Sequence, residues 1–310
     1  IPPNGFWSDS VRADYPTDFV EVSDGFLLTG TTWETQSPQY WQIFLLKTDL
    51  SGNPVWCKSY YSGAYCYGYS IIQVPSSTDY LVAGTVNEDI YVMRVNSTGN
   101  LIWSKRYYSP SGNDRGYNIK PTIDGNFFIY GNTDDASMTN GGTDAIILKI
   151  DGNGNLVGSS TFGSTGTDAN SWGAWPHIGN GMQTANGTFF SMTTTNSFVM
   201  TNGGIYLSKI PPAMIGTNQC CMLNAGLTTS NIVMQVRNMT VRECSLGGMQ
   251  ITNLTPVTTD ITGGGAVRCS VIMGSAGTDV GFCTGGSTTL SASGGTSYSW
   301  SPTSYLSDPN

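Results

Sequence analysis

The sequence predicts an all-β chain built from four repeated units of about four strands each. Three observations carry that reading. The first is a recurring phrase: an apolar strand, a tight polar turn and the start of a second strand. It is complete in Asp144-Ala145-Ile146-Ile147-Leu148-Lys149-Ile150-Asp151-Gly152-Asn153-Gly154-Asn155-Leu156-Val157. It occurs earlier as Phe44–Lys47 with Asp49, Gly52, Asn53 and Val55-Trp56, and as Tyr91–Arg94 with Asn96, Gly99, Asn100 and Leu101-Ile102-Trp103. A worn copy, Ile205–Ile210, keeps only the first strand. The basic residue falls at 47, 94, 149 and 209, and gaps of 47, 55 and 60 residues mark a repeat architecture. The second observation is composition. Only 11% of the residues are charged and 39 are glycine, which suits short strands joined by many turns. No long run of helix formers at helical spacing is present. The third is turn chemistry: Asp24-Gly25, Asp124-Gly125 and Asn186-Gly187 each separate two apolar runs, a strong hairpin signal.

Taken in order, the first unit has strands at Asp18–Val22, Phe26–Gly30, Trp41–Lys47 and Val55–Tyr61. The second has Tyr69–Val74, Tyr80–Gly84, Ile90–Val95 and Leu101–Tyr108. The third has Tyr117–Ile123 and Phe127–Gly131, followed by the two strands of the full phrase, in which Val157-Gly158 replaces Val-Trp. The fourth has Trp172–Ile178, Phe189–Met192 and Ile205–Ile210, and stops at Pro211-Pro212 without a fourth strand. Four antiparallel strands over about 50 residues is the period of a propeller blade. The expected architecture over residues 1–212 is therefore a four-bladed β-propeller-like repeat domain. A short aromatic strand at residues 5–11, containing Phe6-Trp7-Ser8, has no partner nearby and would supply the missing strand and close the ring. An open stack of sheets, or a ring completed by another chain, is the competing arrangement.

Beyond residue 212 the composition changes. Aromatics nearly vanish across 213–280, where Ile232–Val236, Met249–Thr252 and Val267–Ile272 read as strands of a small, disulfide-bearing sandwich. Its cysteines, Cys220, Cys221, Cys244 and Cys269, allow two bridges in three connectivities. Residues 281–310 read as the start of a further immunoglobulin-like module, with Cys283 as the odd cysteine. Cys57 and Cys66 stand nine residues apart across an expected turn, and a bridge between them would imply an oxidising, extracellular setting.

Several function classes lose support at once. A net charge of −8 disfavours nucleic acid as a partner. No apolar run approaches the ~20 residues of a membrane helix, so no membrane insertion is expected. None of the seven cysteines forms a CxxC pair, and the single His177 has no metal-ligand neighbours, so neither metal nor cofactor is expected. Asp151-Gly152-Asn153-Gly154-Asn155 resembles a calcium loop, but position 156 is Leu where glycine is required and position 162 is Phe where an acid is required. Glu88, Asp89, Asp134 and Asp135 are the acids that would serve a glycosidase, and all lie in polar loops between second and third strands. No catalytic residue is assigned. Trp33, Tyr65 and Tyr67 are the aromatics best placed for a ligand, because they sit near variable polar loops. Asn96, Asn186, Asn238 and Asn253 begin sequons, which an Asn- and Thr-rich chain also produces by chance.

Two stretches carry a resemblance. Asp24-Gly25-Phe26-Leu27-Leu28-Thr29-Gly30 with Phe44–Thr48 and Gly52–Trp56 resembles the repeats of large secreted Bacteroidetes surface proteins, over about residues 5–210. Cys283, Leu290-Ser291-Ala292-Ser293-Gly294-Gly295 and Tyr298-Ser299-Trp300-Ser301-Pro302 resemble the PKD-like modules of the same proteins, which is the more specific match. The resemblance implies a gliding-motility adhesin type exported by type IX secretion, although the C-terminal sorting domain of that family is absent here. The expected function is a non-enzymatic structural or adhesive protein at the cell surface. Its expected partners are other copies of itself, other surface proteins or glycans, and a subunit of an extracellular filament is one form this could take. The alternative is a carbohydrate-binding or glycan-hydrolysing propeller.

Overall fold

The computed structural model describes residues 14–33, 40–163, 165–168, 180–195, 204–210, 215–216 and 222–239. All of these belong to the first of two compact units, Ile1–Asn218 with Met222–Asn253. They contain strands and turns and no helix.

The first sheet holds β1 (Asp14–Val22), β2 (Gly25–Trp33), β3 (Trp41–Thr48) and β4 (Pro54–Tyr61). The second holds β5 (Cys66–Gln73), β6 (Tyr80–Val86), β7 (Asp89–Val95) and β8 (Leu101–Tyr108). The third holds β9 (Asp114–Pro121), β10 (Phe127–Thr133), β11 (Asp144–Ile150) and β12 (Leu156–Phe162), and the fourth only β13 (Asn180–Gln183), β14 (Phe189–Thr195) and β15 (Gly204–Ile210). Every neighbouring pair is antiparallel and follows chain order. Expected and observed strands agree closely in the first three sheets, except that β1 begins four residues and β5 and β9 three residues earlier than their apolar runs; the fourth sheet opens on β13 at Asn180–Gln183, where no strand was expected. The expected strand at 172–178 and the strand at 5–11 lie outside the described residues. No ladder joins the fourth sheet to the first among the described residues.

The sheets pack face against face in sequence order. One apolar cluster joins Leu27, Ile43, Leu45 and Tyr60 of the first sheet to Val82, Tyr91, Met93 and Val95 of the second. A second joins Leu81, Ile90, Val92 and Tyr107 to Ile129, Ile146, Leu148 and Ile150. A third joins Phe128, Tyr130 and Ile147 to Phe189 and Ile210. A sheet covered on both faces must be apolar at every position, since successive side chains point to opposite sides. That is why β6 is buried along its whole length and why the central strands read as unbroken runs such as Phe44-Leu45-Leu46.

Two devices recur between and within units. In the first three sheets the basic residue of the third strand pairs with an acid of the hairpin before its own second strand: Lys47 with Asp24 at 2.9 Å, Arg94 with Asp79 at 2.7 Å and Lys149 with Asp124 at 2.5 Å. The turn after each third strand is tied by a side chain. Asp49, Asn96 and Asp151 each accept two backbone N–H bonds from the residues two and four positions on, at 2.8–3.1 Å. Asp151 therefore spends its carboxylate on a turn, as the Leu at position 156 anticipates.

The turn then receives the fourth strand of the preceding sheet. Tyr60 donates its hydroxyl to the Gly99 carbonyl at 2.6 Å, and Tyr107 does the same to Gly154 at 2.8 Å. Lys58 bonds Thr98 and Asn100, and Lys105 bonds Asn155. Gly99 and Gly154 have φ of +72° and +73°, and a Cβ on either would stand 2.8 Å from the indole of Trp56 or Trp103. Only glycine satisfies both the left-handed backbone and the flat ring above it.

Residues 222–239 correct the expected domain boundary. They form no separate sandwich. Instead β16 (Met222–Asn224), β17 (Thr228–Asn231) and β18 (Gln235–Asn238) become fifth strands on β12, β8 and β4, so the segment runs back along the outer edges of the third, second and first sheets. The lacing has a seven-residue period. The N–H groups of Ala225, Ile232 and Met239 donate to the carbonyls of Ser159, Ser104 and Cys57 at 3.1, 3.1 and 2.9 Å. Leu227 and Met234, also seven apart, insert into the second and first inter-sheet clusters. Exposed edge strands invite pairing with other chains, and this strap removes three of them.

The Cys57–Cys66 bridge does not form. Cys57 lies inside β4 and faces Phe44, Leu46 and Met239, whereas Cys66 opens β5 and packs in the cluster on the other face of the first sheet. A nine-residue spacing misleads here because β4 continues four residues past Cys57, and strand parity then points the thiols to opposite sides. Cys220, Cys221, Cys244 and Cys269, and the module at 281–310, lie outside the described residues.

Candidate functional site

The loops joining second to third strands and those joining one sheet to the next meet at one end of the sheets. Their backbones are bonded to each other: Asn87 N to Tyr65 O at 3.0 Å, Asp114 N to Glu88 O at 2.6 Å, Asp134 N to Asn113 O at 3.2 Å and Asp168 N to Thr143 O at 2.8 Å. Aromatic and acidic side chains concentrate at this end.

The aromatics form three groups. Trp33 meets Trp41 edge-on at 4.9 Å, and Trp41 meets Tyr15 at 5.6 Å. Tyr40 stacks on Tyr61 at 5.7 Å and meets Tyr65 edge-on at 5.3 Å, leaving Tyr65 46% exposed. Tyr67 stacks on Tyr69 at 6.2 Å, and Tyr69 meets Tyr117 at 5.5 Å. Burial raises the phenol pKa of Tyr67, Tyr69 and Tyr117, so all three are neutral donors and acceptors near pH 7. Trp33, Tyr65 and Tyr67 thus fall into three separate groups rather than one platform. Tyr40 ties Tyr65 in place, and Tyr69 and Tyr117, which the sequence reading did not single out, do the same for Tyr67.

The acids are committed. Glu88 pairs with Arg115 at 2.5 Å and Asp89 with Arg106 at 2.9 Å. Asp134 accepts from the Asn113 backbone and side-chain amides at 2.7 and 2.8 Å. Asp135 accepts from Ser111 N, Ser111 Oγ, Ser137 N and Ser137 Oγ; these bonds outweigh burial and hold its carboxyl well below the usual range. Such acids fasten loops to one another. Among the described residues no group of three or more His, Cys, Asp or Glu side chains converges for a metal ion. His177 lies outside the described residues.

A second acidic feature was missed in the sequence. Asp114 and Asp168 follow Gly112-Asn113 and Gly166-Thr167, and both are fully buried. Each lies near the acid that opens the preceding third strand, Asp89 or Asp144, and adds repulsion to the burial that raises that acid's pKa. Arg106 pairs with Asp89. The corresponding residue in the third sheet is Thr161, opposite Ile146 as Arg106 is opposite Tyr91, and burial, with Asp168 adding repulsion, raises Asp144 to about 7. The shared Gly-x-Asp spacing was the available signal.

No known protein family matches this chain, and no curated protein is significantly similar to it. No helix among the described residues is long and apolar enough to cross a membrane.

Proposed function

We propose that this chain is a non-enzymatic, secreted cell-surface protein with a structural or adhesive role. Its four units are read as the blades of a propeller-like domain, followed by immunoglobulin-like modules. The observation that carries the non-enzymatic reading is the state of the acids. Glu88, Asp89, Asp134 and Asp135, the acids that would serve a glycosidase, are each held in an ion pair or loop bond, which commits them to fastening loops. The repeated tyrosine, lysine and tryptophan contacts between sheets favour rigidity over movement. Export and surface location rest on the resemblance to secreted Bacteroidetes proteins, since the first cysteine pair gives them no support. The partner would be another copy of the chain or another surface protein.

The second reading, glycan binding, is favoured by the exposed Tyr65 beside Tyr40 and Tyr61, because a sugar ring stacks on an aromatic face. A glycan array and a turnover screen over glycoside substrates on the purified chain separate the readings. Cleavage of any glycoside overturns the non-enzymatic reading. A glycan signal lost in Tyr65→Ala supports the second.

A further inference from the structure

We propose that the cavity enclosed by the second sheet, the third sheet and the strap binds a carboxylate-bearing sugar residue, a uronic acid, with Lys105 as the partner of the carboxylate. The site is separate from Tyr65 and depends on neither reading of the function given above.

The cavity has a volume of about 450 Å³, and its lining includes Lys105 of β8, Asn155 and Leu156 where β12 begins, and Leu227, Thr229 and Asn231 of the strap. Small-molecule pockets run from roughly 300 to 1,000 Å³, so one sugar ring fits. Strand pairing brings these groups together. Asn231 stands opposite Lys105, and Thr229 stands opposite Tyr107. Opposed residues and alternate residues share a face of the sheet, so all four point the same way. Tyr107 fixes that direction, because its hydroxyl reaches the Gly154 carbonyl in the turn of the third sheet. Asn155 comes from the same turn and closes the far side. Leu156 and Leu227 pack on the apolar cluster between these sheets and give the cavity its apolar wall.

The polar groups select the ligand. Lys105 donates to Asn155 Oδ1 at 2.9 Å, and Asn155 Nδ2 donates to Asp151 Oδ2 at 2.9 Å. Asp151 Oδ1 accepts from the backbone of its own turn. An ammonium carries three donors, so the Asn155 bond aims the amine and leaves donors for a carboxylate. One cation matches one carboxylate. A phosphate monoester, with nearly two charges, would call for a second cation. Arg106 is the next residue, points to the other face and pairs with Asp89. The Thr229 hydroxyl and the Asn231 amide suit ring hydroxyls, and the leucine pair suits the C–H face of the ring.

The seven-residue period of the strap supplies a comparison within the chain. Between the first and second sheets the equivalent positions are Lys58, Asn100, Leu101, Met234, Val236 and Asn238. There the lysine donates to two acceptors, Thr98 O at 2.7 Å and Asn100 Oδ1 at 2.8 Å. Val236 also replaces the hydroxyl of Thr229. Of the two copies, the one at Lys105 keeps both the spare donors and the hydroxyl.

Saturation-transfer NMR titrations of the full chain test this, with glucuronate, glucose and acetate as probes. Glucuronate should bind in the millimolar range, as a single sugar ring allows. Glucose lacks the carboxylate and acetate lacks the ring, so each should bind at least roughly tenfold more weakly. Lys105→Met should weaken glucuronate by a similar factor. Thr229→Val, which keeps the Lys105–Asn155 contact and the shape of the strap, should also weaken it and serves if Lys105→Met does not fold. Lys58→Met and Tyr65→Ala should leave glucuronate binding unchanged. No glucuronate binding, or acetate or glucose binding as well as glucuronate, would overturn the proposal. So would glucuronate binding that survives Lys105→Met or Thr229→Val. Loss of glucuronate binding in Tyr65→Ala would overturn it too, and would place the sugar at the aromatic site instead.

Discussion

Replacing Tyr107 with Phe isolates one atom of the contact between the second and third sheets. Tyr107 is fully buried, and its hydroxyl donates to the Gly154 carbonyl at 2.8 Å. The ring can stay where it is, so no cavity opens. The loss is one hydrogen bond, about 0.5–1.5 kcal/mol net, plus part of the cost of leaving a carbonyl without its donor. A total of about 1–2 kcal/mol follows, and for a unit of this size that is roughly 2–8 °C in melting temperature. The chain contains its own comparison. Phe162 occupies the same register position in the third sheet, opposite Ala145 as Tyr107 stands opposite Ile90. Beyond β15, Ile215-Gly216 form a turn in which Gly216 has φ of +82° and its N–H donates to Ser160 Oγ of β12 at 2.8 Å. Scanning calorimetry of Tyr107→Phe against the parent is the assay. Tyr107→Phe should melt earlier. A Tyr107→Phe melt within about 1 °C of the parent would refute the claim that the tyrosine-to-turn bond holds the sheets together.

Three further outcomes are expected. Asp144, raised to about 7 by burial and then by Asp168, binds its proton more tightly folded than unfolded, so stability falls as pH rises from about 4 through 7; Asp144→Asn should flatten that slope in urea titrations at pH 5 and 7.5, and an unchanged slope would clear Asp144 of the effect. Leu227→Ala and Met234→Ala, which empty the two strap positions inserted between sheets, should each cost about 2–3 kcal/mol in the same titrations, while Val233→Ala, at a position 84% exposed, should cost almost nothing. Cys66, whose thiol pKa is raised by burial, should resist iodoacetamide in the native protein and react on denaturation, with no Cys57–Cys66 peptide on mapping.

The sequence by itself determined the strands of the first three sheets, their order and the repeat, because each rests on interactions within a few residues. Asp-Gly and Asn-Gly turns select their own backbone, and apolar runs such as Tyr80–Val86 declare a strand buried on both faces. The recurring base at 47, 94 and 149 was visible as a pattern, though its acid partner was not. The fate of the aromatics was half legible. Trp56 and Trp103 were visible in the recurring phrase, but the bond of Tyr60 and Tyr107 to a turn glycine in the next sheet was not. Only the tertiary structure decided the rest, because it depends on which distant segments meet and which way each side chain points. The strap at 222–239 reads as a few short apolar stretches, and its seven-residue period acquires meaning only against the spacing of three sheet edges. Cys57 and Cys66 are close along the chain and separated by a sheet, since strand parity, not sequence distance, sets the facing side. The Asp89–Asp114 and Asp144–Asp168 pairs bring loops of neighbouring units together, and the raised pKa values of Asp89, Asp114 and Asp144 arise from a burial that no local pattern records.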